Sequence, residues 1–519
     1  MTNDALQKIV IVGGGTSGWM TAAALAKIVG TQHCAIELVE SDQIGTVGVG
    51  EATLPHLRAF IQRLGIDEST FMRTTNATYK TGIEFSNWGD KGEAYIHPFG
   101  DYGEPIGGID FHHYWLRLRQ LGDTTPICDY SLPVKASKAS KFDYPSADTS
   151  TLASTFGYAY HLDASAFAKY LRAYCENLGV VRTEGKVEHV ATCEQSGNIT
   201  GVTLENGTAI TGDLFIDCSG FRGLLIEQTL QSGYQDWSHW LPCDRAVAIP
   251  CKTNGDITPY TRAIAHDAGW RWRIPLQHRT GNGVIYCSKY MQADQAEQLL
   301  RDNLEGEPLG DANHIQFTTG RRNQFWSKNC VAIGLSAGFL EPLESTSIHL
   351  IQLAIMKLVE FFPYKNINSA LRDEYNRSMG LEFETLRDFL VLHYTATRRE
   401  DSPFWQYCKH MDKPAALTHK MALFEQTGRV SPYTEGLFLK PSWIAVYLGQ
   451  GMVPKSYDTR VEQLDLEKLA NHFVGIKQAV AQTVQAMPDH TDSIAKYCTA
   501  KEGEYEAPKA STSLYGQTS

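Results

Sequence analysis

The chain has 519 residues, and its 47 Lys and Arg against 58 Asp and Glu give a formal net charge of −11 at pH 7. Hydrophobic residues make up 43% and charged residues 20%, a balance typical of globular proteins. The length is compatible with about three domains. The acidic balance argues against a nucleic-acid-binding protein and against adhesion to an anionic membrane, because both need a basic surface.

The 11 cysteines are scattered from Cys34 to Cys498 and form no CxxC pair, so neither a zinc ribbon nor a thioredoxin-like redox pair is indicated. We therefore predict no metal site and expect buried free thiols in a reducing compartment. The N-terminal residues show no signal-peptide order, and no apolar run is long enough to span a bilayer. We expect a cytoplasmic protein that does not enter membranes.

The beginning of the chain predicts a βαβ unit. Residues 9–12 form an apolar run rich in β-branched side chains, and residues 13–18 form a glycine-rich turn. Residues 19–29 have helical spacing, and residues 35–39 form a second apolar run. This order is typical of a parallel sheet, so we predict an α/β fold.

The rest of the pattern predicts a second β-sheet followed by a helical C-terminal unit. The predicted elements are a helix at 54–64, a strand at 78–88, loops and short helices at 101–146, an amphipathic helix at 161–178, strands within 180–216 and 244–290, and mostly helices from 345 onward.

The glycine-rich turn GGGTSG matches the dinucleotide-binding GxGxxG pattern in its expected context. Gly13 makes the tight turn, Gly15 lets the backbone approach a pyrophosphate, and Gly18 allows close packing of the helix. The phosphate groups would lie at the positive N-terminus of that helix. Glu40, about 20 residues on at the end of the second strand, is placed to accept hydrogen bonds from a ribose.

Two later segments favour FAD over NAD as the dinucleotide. DLFIDCSG at 213–220 and NCVAIGLSAG at 329–338 are apolar strands that end in turns of small residues. Flavoproteins of the aromatic hydroxylase type use such strand ends to approach FAD. We predict a Rossmann-like FAD-binding fold of that type, with residues 1–345 as an interwoven FAD-binding and substrate-sheet body. Residues 346–519 form a mainly helical part that completes the substrate pocket.

The ordered motifs of the chain resemble those of the flavin-dependent halogenases related to tryptophan halogenases, over nearly the whole length. The motifs are GGGTSGW at 13–19, VGVGEATLP at 47–55, YKTGIEFSNW at 79–88, IHPFG at 96–100, GWRWRIPL at 269–276 and EPLESTSIHL at 341–350. The WxWxIP pattern is the most specific of them, because it separates this family from the related hydroxylases. The resemblance and the glycine turn together predict the cofactor-binding residues Gly13, Gly15, Thr16, Ser17, Gly18, Glu40, Gly48, Gly50, Glu51, Ala52, Gly334 and Leu335.

The resemblance implies an FADH2-dependent halogenase that uses O2 and chloride or bromide to make hypohalous acid. A separate flavin reductase would supply FADH2, since the sequence shows no second nucleotide-binding pattern. A barrier formed by Trp270, Trp272, Ile274 and Pro275 would keep the organic substrate away from the flavin. A homodimer is left open.

The resemblance also implies the reacting groups. Lys80 matches the family's essential lysine, to which hypohalous acid would be delivered, and burial is expected to lower its pKa. Glu344 matches the catalytic carboxylate, which would polarise hypohalous acid or accept the proton from the ring. The halide site would use Thr346 and Ser347, where the family has a Ser-Thr-Gly turn at a helix N-terminus.

The resemblance implies an aromatic substrate, most simply of the indole type. His97 and Phe99 match residues that sandwich an indole ring, and Phe438 is a loosely matched third wall. The region 427–451 does not match the polar contacts that hold the amino-acid end of tryptophan in the family. This mismatch disfavours free tryptophan and leaves indole, a substituted indole, a phenol or a carrier- or peptide-bound aromatic open.

Two other functions remain open from the sequence. One is an FAD-dependent aromatic hydroxylase that binds NAD(P)H itself and needs no halide. The other is a non-catalytic FAD-binding redox sensor, which would have no use for Lys80.

Overall fold

A computed structural model describes residues 4–44, 50–254, 257–431 and 436–500. These residues form 22 strands and 14 α-helices, joined by short 3-10 and π turns. The strands are β1 (Lys8–Val12), β2 (Ala35–Glu40), β3 (Gly50–Ala52), β4 (Thr78–Lys80), β5 (Gly82–Ser86), β6 (Ala94–Pro98), β7 (Ala159–Asp163), β8 (Val181–Glu184), β9 (Val187–Thr192), β10 (Ile199–Leu204), β11 (Ala209–Thr211), β12 (Leu214–Asp217), β13 (Tyr234–Asp236), β14 (Arg245–Ala248), β15 (Thr261–His266), β16 (Gly269–Pro275), β17 (Thr280–Tyr286), β18 (Asn313–Gln316), β19 (Gly320–Arg322), β20 (Trp326–Ser327), β21 (Cys330–Ala332) and β22 (Gly338–Phe339). The helices are α1 (Thr16–Ile28), α2 (His56–Leu64), α3 (Glu68–Thr74), α4 (Phe111–Gln120), α5 (Leu132–Lys138), α6 (Ala164–Asn177), α7 (Ala293–Arg301), α8 (Ser347–Glu360), α9 (Ser369–Thr395), α10 (Pro403–His410), α11 (Ala415–Thr427), α12 (Lys440–Gly449), α13 (Leu466–Ala486) and α14 (His490–Tyr497).

A six-stranded sheet, ordered β20-β21-β12-β1-β2-β8, forms the centre of the first unit. Its five strands from β21 to β8 run parallel, and only β20 is antiparallel. The apolar side chains of β1 are buried on both faces, as a parallel strand between helical layers requires. The predicted βαβ unit is confirmed, because β1, α1 and β2 follow in that order and β1 pairs with β2 in parallel.

A seven-stranded sheet, ordered β18-β14-β17-β16-β15-β5-β6, is the predicted second sheet. Its neighbours are antiparallel except for β15 and β5. Strand β16 carries the WxWxIP motif and β6 carries His97. A small sheet, ordered β3-β7-β4, pairs strand β7 with both β3 and β4, and Lys80 ends β4.

The described residues after 346 are mainly helical, as predicted. Helix α8 packs against α1 of the first unit, and α9 has 27 residues, with an almost completely buried C-terminal half. The boundary between residues 345 and 346 stays a prediction.

Two predicted elements differ from the structure. The helix expected at 161–178 begins only at Ala164, because the Asp163 side chain accepts a hydrogen bond from the Ala166 N–H and caps it there. Residues 159–163 form strand β7 instead. The strand expected at 78–88 is broken at Thr81, whose N–H bonds to Pro259 O, and its two halves join different sheets.

The cysteines and the helices bear on two further predictions from the sequence. All 11 cysteines lie in the described ranges as free thiols, and all but Cys128 and Cys193 are buried. Among the described helices, none combines the length and the apolar character needed to cross a membrane.

Candidate active site

A cavity of about 510 Å³ lies between the parallel sheet, the seven-stranded sheet and the start of α8. Most of the predicted cofactor residues line it, namely Gly13, Gly15, Thr16, Ser17, Glu40, Gly50, Glu51, Ala52, Gly334 and Leu335. Gly18 lies behind the lining in α1, and Gly48 lies outside the described residues. The glycine turn, the acidic strand end and the later strand ends thus meet in one cavity.

The three motif glycines are needed for different reasons. Gly13 has φ +113°, and a Cβ there would lie 2.2 Å from Cys218 O. A Cβ on Gly18 would lie 1.8 Å from Gly13 O, so this glycine permits the close packing of α1. A Cβ on Gly15 would meet no atom within 4 Å, because that position opens onto the cavity. The turn therefore offers a bare backbone and a helix N-terminus, which fits a pyrophosphate group.

Glu40 is oriented by arginines that the sequence analysis missed. The Nε of Arg182 donates to Glu40 Oε1 at 2.5 Å, and Arg172 lies 3.8 Å from the same oxygen. The other oxygen, Oε2, points towards Gly14 at the cavity wall. The carboxylate is therefore held with one oxygen directed at the cavity, which suits a ribose hydroxyl.

The predicted barrier forms one wall of the cavity. Trp270, Trp272 and Ile274 line it, whereas Pro275 lies behind it and accepts a hydrogen bond from Thr78 through its carbonyl. The indole N–H of Trp270 donates to Glu341 at 2.9 Å. The Trp270 ring is almost fully buried, and this bond together with the surrounding packing fixes its orientation.

Glu341 is a buried carboxyl beneath the barrier. It accepts hydrogen bonds from Trp270 and, at 2.6 Å, from the hydroxyl of Tyr394. Burial raises the pKa of Glu341 to about 7, although these two donors oppose the rise. Both groups bond to Oε2, and Oε1 makes no hydrogen bond within the described part of the chain.

Lys80 ends strand β4 and is completely buried. Its Nζ donates to Thr53 O at 2.9 Å and to Ser345 Oγ at 2.8 Å, and it lies 5.0 Å from the centre of the Phe99 ring. Burial lowers the pKa of Lys80 to about 7, although the negative charge of Glu344 opposes the change. Because Ser345 lines the cavity, Lys80 lies directly behind its wall.

Glu344 lies in a 3-10 turn just before α8 and is also completely buried. Both of its oxygens lie 3.0 Å from His97 Nδ1, and Oε1 lies 2.8 Å from His393 Nε2. Burial by itself would raise the pKa of Glu344, but His97 and His393 outweigh it and lower the pKa to about 2. The carboxyl is therefore ionised and is held by two imidazoles rather than by the helix terminus.

The predicted aromatic residues surround the same place, with one neighbour that the sequence analysis missed. The His97 ring lies 6.0 Å from Phe438 and 5.9 Å from Phe389. Phe389 and Phe438 stack at 4.0 Å. Phe99 is half-buried beside Lys80. An aromatic wall thus adjoins both buried ionisable groups, and α9 supplies Phe389 from a helix that carries no recognisable motif.

The predicted halide turn lies at the N-terminus of α8. Ser345 has φ +61°, and Ser345 and Ser347 line the cavity. Thr346 is completely buried, and its Oγ1 has no hydrogen-bond partner among the described residues. The first turn of the 14-residue helix adds free backbone N–H groups and the positive end of its dipole. These features suit a small anion.

One cluster of potential metal ligands occurs in the described ranges, at Asp110, His112 and His113. Groups of the chain already engage each of them. Lys440 lies 3.2 Å from Asp110, His112 donates to Gly428 O, and the Asp458 N–H donates to His113. The cluster lies outside the cavity lining and was not predicted from the sequence.

Comparison with known proteins decides the family. The family model described as tryptophan halogenase matches residues 8–465. The chain belongs to the tryptophan halogenase family. It is 36% identical to the tryptophan 6-halogenase SttH of Streptomyces toxytricini over 515 residues, which cover 94% of this chain and 98% of that protein.

Solved structures agree with this assignment. The flavin-dependent halogenase of Xanthomonas campestris has a TM-score of 0.92 at 45% identity, with 96% of this chain and 99% of that chain covered. BrvH, a flavin-dependent halogenase from Brevundimonas sp. BAL3, also has a TM-score of 0.92, at 43% identity, with 95% and 99% covered. The protein is therefore a flavin-dependent halogenase with the predicted FAD-binding Rossmann-like fold, and the hydroxylase and redox-sensor alternatives are not favoured.

The halogenase reaction implies FADH2, O2 and a halide. The residues around the cavity fit the flavin nucleotide, because Gly15 leaves open space at a helix N-terminus and Glu40 points inward. The family resemblance identified Lys80 and Glu344 by their motifs. His393, Phe389 and Arg182 could not be found in this way, because each contributes through a tertiary contact.

Proposed function

We propose that this halogenase transfers chlorine or bromine from hypohalous acid to an indole-type aromatic ring, with Lys80 and Glu344 as the reacting groups. The observation that carries the proposal is the pairing of a buried ammonium and a buried carboxylate behind one cavity wall. Lys80 bonds to Ser345 of that wall, and Glu344 is the preceding residue.

The cofactor would lie in the cavity along the glycine turn, with Glu40 at its ribose. Bound in its reduced form, the flavin would give two electrons to O2 and bring it to the peroxide level, which has the oxidising power to convert the halide to hypohalous acid. Gly50, Glu51 and Ala52 would contact it from strand β3. Burial raises the pKa of Glu51 to about 7, so at neutral pH this carboxyl carries less negative charge near an anion than an exposed glutamate does.

The halide would bind at the N-terminus of α8, next to Ser345 and Ser347. The hydroxyl of Thr346, which has no hydrogen-bond partner among the described residues, and the free backbone N–H groups favour an anion there. We expect chloride or bromide to bind there, and the test below offers both.

Lys80 would hold hypohalous acid away from water and from the thiols of the chain. With a pKa of about 7, both the ammonium and the free amine are populated near neutral pH. The ammonium donates a hydrogen bond to the hypohalous oxygen, and the amine can accept halogen as a haloamine. The wall formed by Trp270 and Trp272 would keep the aromatic substrate away from the flavin.

Glu344 would take up the proton that the ring carbon loses when the halogen is attached. Its low pKa and complete burial keep it ionised and free of competing water. His97, Phe99 and Phe438 would flank the ring and orient it. An indole-type substrate is supported by this aromatic lining and by curated relatives named as tryptophan halogenases.

A separate flavin reductase would supply the reduced cofactor. The described residues show one dinucleotide cavity, so a nicotinamide would have to act elsewhere. A cytoplasmic location and a homodimer stay predictions.

The test supplies the purified protein with FAD, a flavin reductase, NADH, air and either bromide or chloride. Indole, substituted indoles, phenols and free tryptophan are offered, and mass spectrometry detects the isotope pattern of a monohalogenated product. We expect halogenated indoles in the presence of the reductase and halide. Absence of halogenated product from every electron-rich aromatic would refute the proposal, and NADH-dependent hydroxylation without reductase would favour the hydroxylase.

A further inference from the structure

The carboxylate of Glu344 lies between two imidazoles in a completely buried site. His97 Nδ1 lies 3.0 Å from both oxygens, and His393 Nε2 lies 2.8 Å from Oε1. The side chains of Glu344 and His393 have no exposed surface. Water therefore cannot supply or remove protons freely at this place.

The hydrogen bonds of His393 decide where its protons lie. Its Nδ1 is 2.8 Å from the carbonyl oxygen of Phe389, one turn earlier in α9. A carbonyl oxygen can only accept, so Nδ1 carries a hydrogen. A neutral His393 would then place an unprotonated Nε2, which carries partial negative charge, 2.8 Å from a carboxylate oxygen, and this contact is repulsive.

The contact becomes attractive when Nε2 carries a proton and His393 a positive charge. Among the described residues Nε2 makes no well-aligned hydrogen bond, although Glu344 Oε1 lies 2.8 Å away. An imidazolium at this distance would be held to the carboxylate by charge attraction in a site that excludes water. His97 contributes its own Nδ1–H and does not need a second proton for this contact.

We propose that His393 is a positioning residue which stores one proton on Nε2 for Glu344, so that the pair both donates and accepts a proton in each halogenation. This proposal rests on the proposed function of Lys80 and Glu344. It assigns a role to a residue of α9 that no motif of the chain indicates.

The stored proton balances the reaction of hypohalous acid with an aromatic C–H. The O–X bond breaks, and the ring carbon forms the C–X bond. The departing hydroxide takes the proton of the pair, relayed through Glu344, and becomes water. The ring carbon then releases its proton to Glu344, from which it returns to His393. The products are the halogenated ring and water, and the pair ends in its starting state.

Other titratable groups face this pair from every packed element. They are Lys80 on β4, Tyr95 and His97 on β6, and Glu341, which accepts a hydrogen bond from Tyr394 next to His393. The amide of Gln450 bonds both Tyr95 and the backbone of His393. Burial raises the pKa of Tyr95 well above its usual value, so it stays neutral, whereas Lys80 and Glu341 both have a pKa of about 7. The test must therefore separate His393 from Lys80 and Glu341.

The first test reads the proton directly in the resting protein, without turnover. The halogenase is labelled with ¹⁵N-histidine, and the His393 signals are assigned by their loss in His393→Gln. We expect both ring nitrogens of His393 to be protonated at pH 7. An unprotonated Nε2 at that pH would overturn the proposal, whatever the activity.

The second test compares three variants at saturating halide and aromatic substrate. His393→Gln keeps an N–H donor towards Glu344 but cannot release a proton, and His393→Leu removes the donor. We expect kcat to fall by about 100-fold in both, with the substrate KM changed by less than about 3-fold. The matched control is His112→Gln, which replaces a buried histidine of α4 and should keep the wild-type kcat.

The pH dependence distinguishes proton storage from mere packing. In His393→Leu, Glu344 loses one stabilising charge, so the pKa of Glu344 rises. The acidic side of the pH profile of kcat should then shift to higher pH. The shift should be smaller in His393→Gln. A His393→Gln protein with kcat within about 3-fold of wild type would refute the proposal. Failure of the proposed function looks different, because wild-type protein would then give no halogenated product at all.

Discussion

The ammonium of Lys80 donates a hydrogen bond to the hydroxyl of Ser345 across 2.8 Å, which joins strand β4 to the turn before α8. The two residues are 265 positions apart in the sequence. Because Ser345 follows Glu344 and lines the cofactor cavity, this bond sets both proposed reacting groups against one wall.

Lys80→Met should abolish halogenation and make the protein more stable at neutral pH. The pKa of about 7 in the folded protein lies below the 10.5 of an exposed lysine, so burial of the ammonium lowers the free energy of unfolding. This loss is largest below pH 7, where the folded protein holds the proton. This cost disappears as the pH rises from 7 towards 10.5, because the unfolded chain then also loses the proton. The variant also loses two hydrogen bonds, so we expect a net gain of about 1–3 kcal/mol at pH 7.

Urea denaturation of wild type and Lys80→Met at pH 6.5 and pH 9 measures this difference. The advantage of the variant should shrink at pH 9. An advantage that is equal at both pH values would show that the buried charge is not its cause.

Glu344→Gln should slow halogenation by about 100-fold, because the amide cannot accept a proton from the ring. FAD affinity should change little, since Glu344 bonds to His97 and His393 rather than lining the cavity. Product formation is followed by mass spectrometry and FAD binding by fluorescence titration. A large loss of FAD affinity would instead assign Glu344 a structural role at the start of α8.

Gly15→Ala and Gly18→Ala separate cofactor binding from folding within one turn. The added methyl group on residue 15 meets no atom within 4 Å, so the fold should tolerate it while FAD affinity falls at least ~10-fold. The methyl group on residue 18 would lie 1.8 Å from Gly13 O and should destabilise the protein by about 1–3 kcal/mol or more. Fluorescence titration and denaturation measure the two effects, and similar behaviour of both variants would contradict this division.

Glu341→Gln should change how stability depends on pH. The pKa of about 7 in the folded protein exceeds the usual 4.5, so the folded state holds a proton between pH 4.5 and 7 that the unfolded chain has lost. Wild-type stability therefore falls as the pH rises through this range. A neutral amide can still accept from Trp270 and Tyr394, so the variant should gain up to about 3 kcal/mol relative to wild type between pH 5 and 8.

The measurement is the midpoint of thermal unfolding at pH 5, 6.5 and 8. Parallel curves for the two proteins would refute the buried ionisable state of Glu341.

Phe438→Ala should weaken binding of the aromatic substrate. Phe438 is buried and stacks on Phe389 at 4.0 Å beside His97, so its ring forms part of the wall. We expect the KM for an indole to rise about 10-fold, as loss of one aromatic contact of about 1.4 kcal/mol implies. The neighbouring Leu439 is 48% exposed, and Leu439→Ala serves as the control with unchanged KM. Equal KM values for both variants would place the substrate elsewhere.

The sequence alone determined the cofactor turn, the βαβ unit at the start of the chain, the second sheet, the helical C-terminal region and the family. These depend on local chemistry, because a glycine-rich turn between an apolar run and a helical run, and a strand of alternating tryptophans, are readable from neighbouring residues. The close approach of Gly13 to Cys218 O is visible only in the structure. Errors arose where a side chain caps or breaks an element, as Asp163 does for α6.

Only the tertiary structure decided the electrostatic state of the candidate site. The shift in the pKa of Lys80 comes from burial behind Ser345, and that of Glu344 from His97 and His393, which lie on a different sheet and a different helix. Residue spacing cannot predict these states, because desolvation and charge pairing depend on which distant segments the fold brings within about 3 Å of one another.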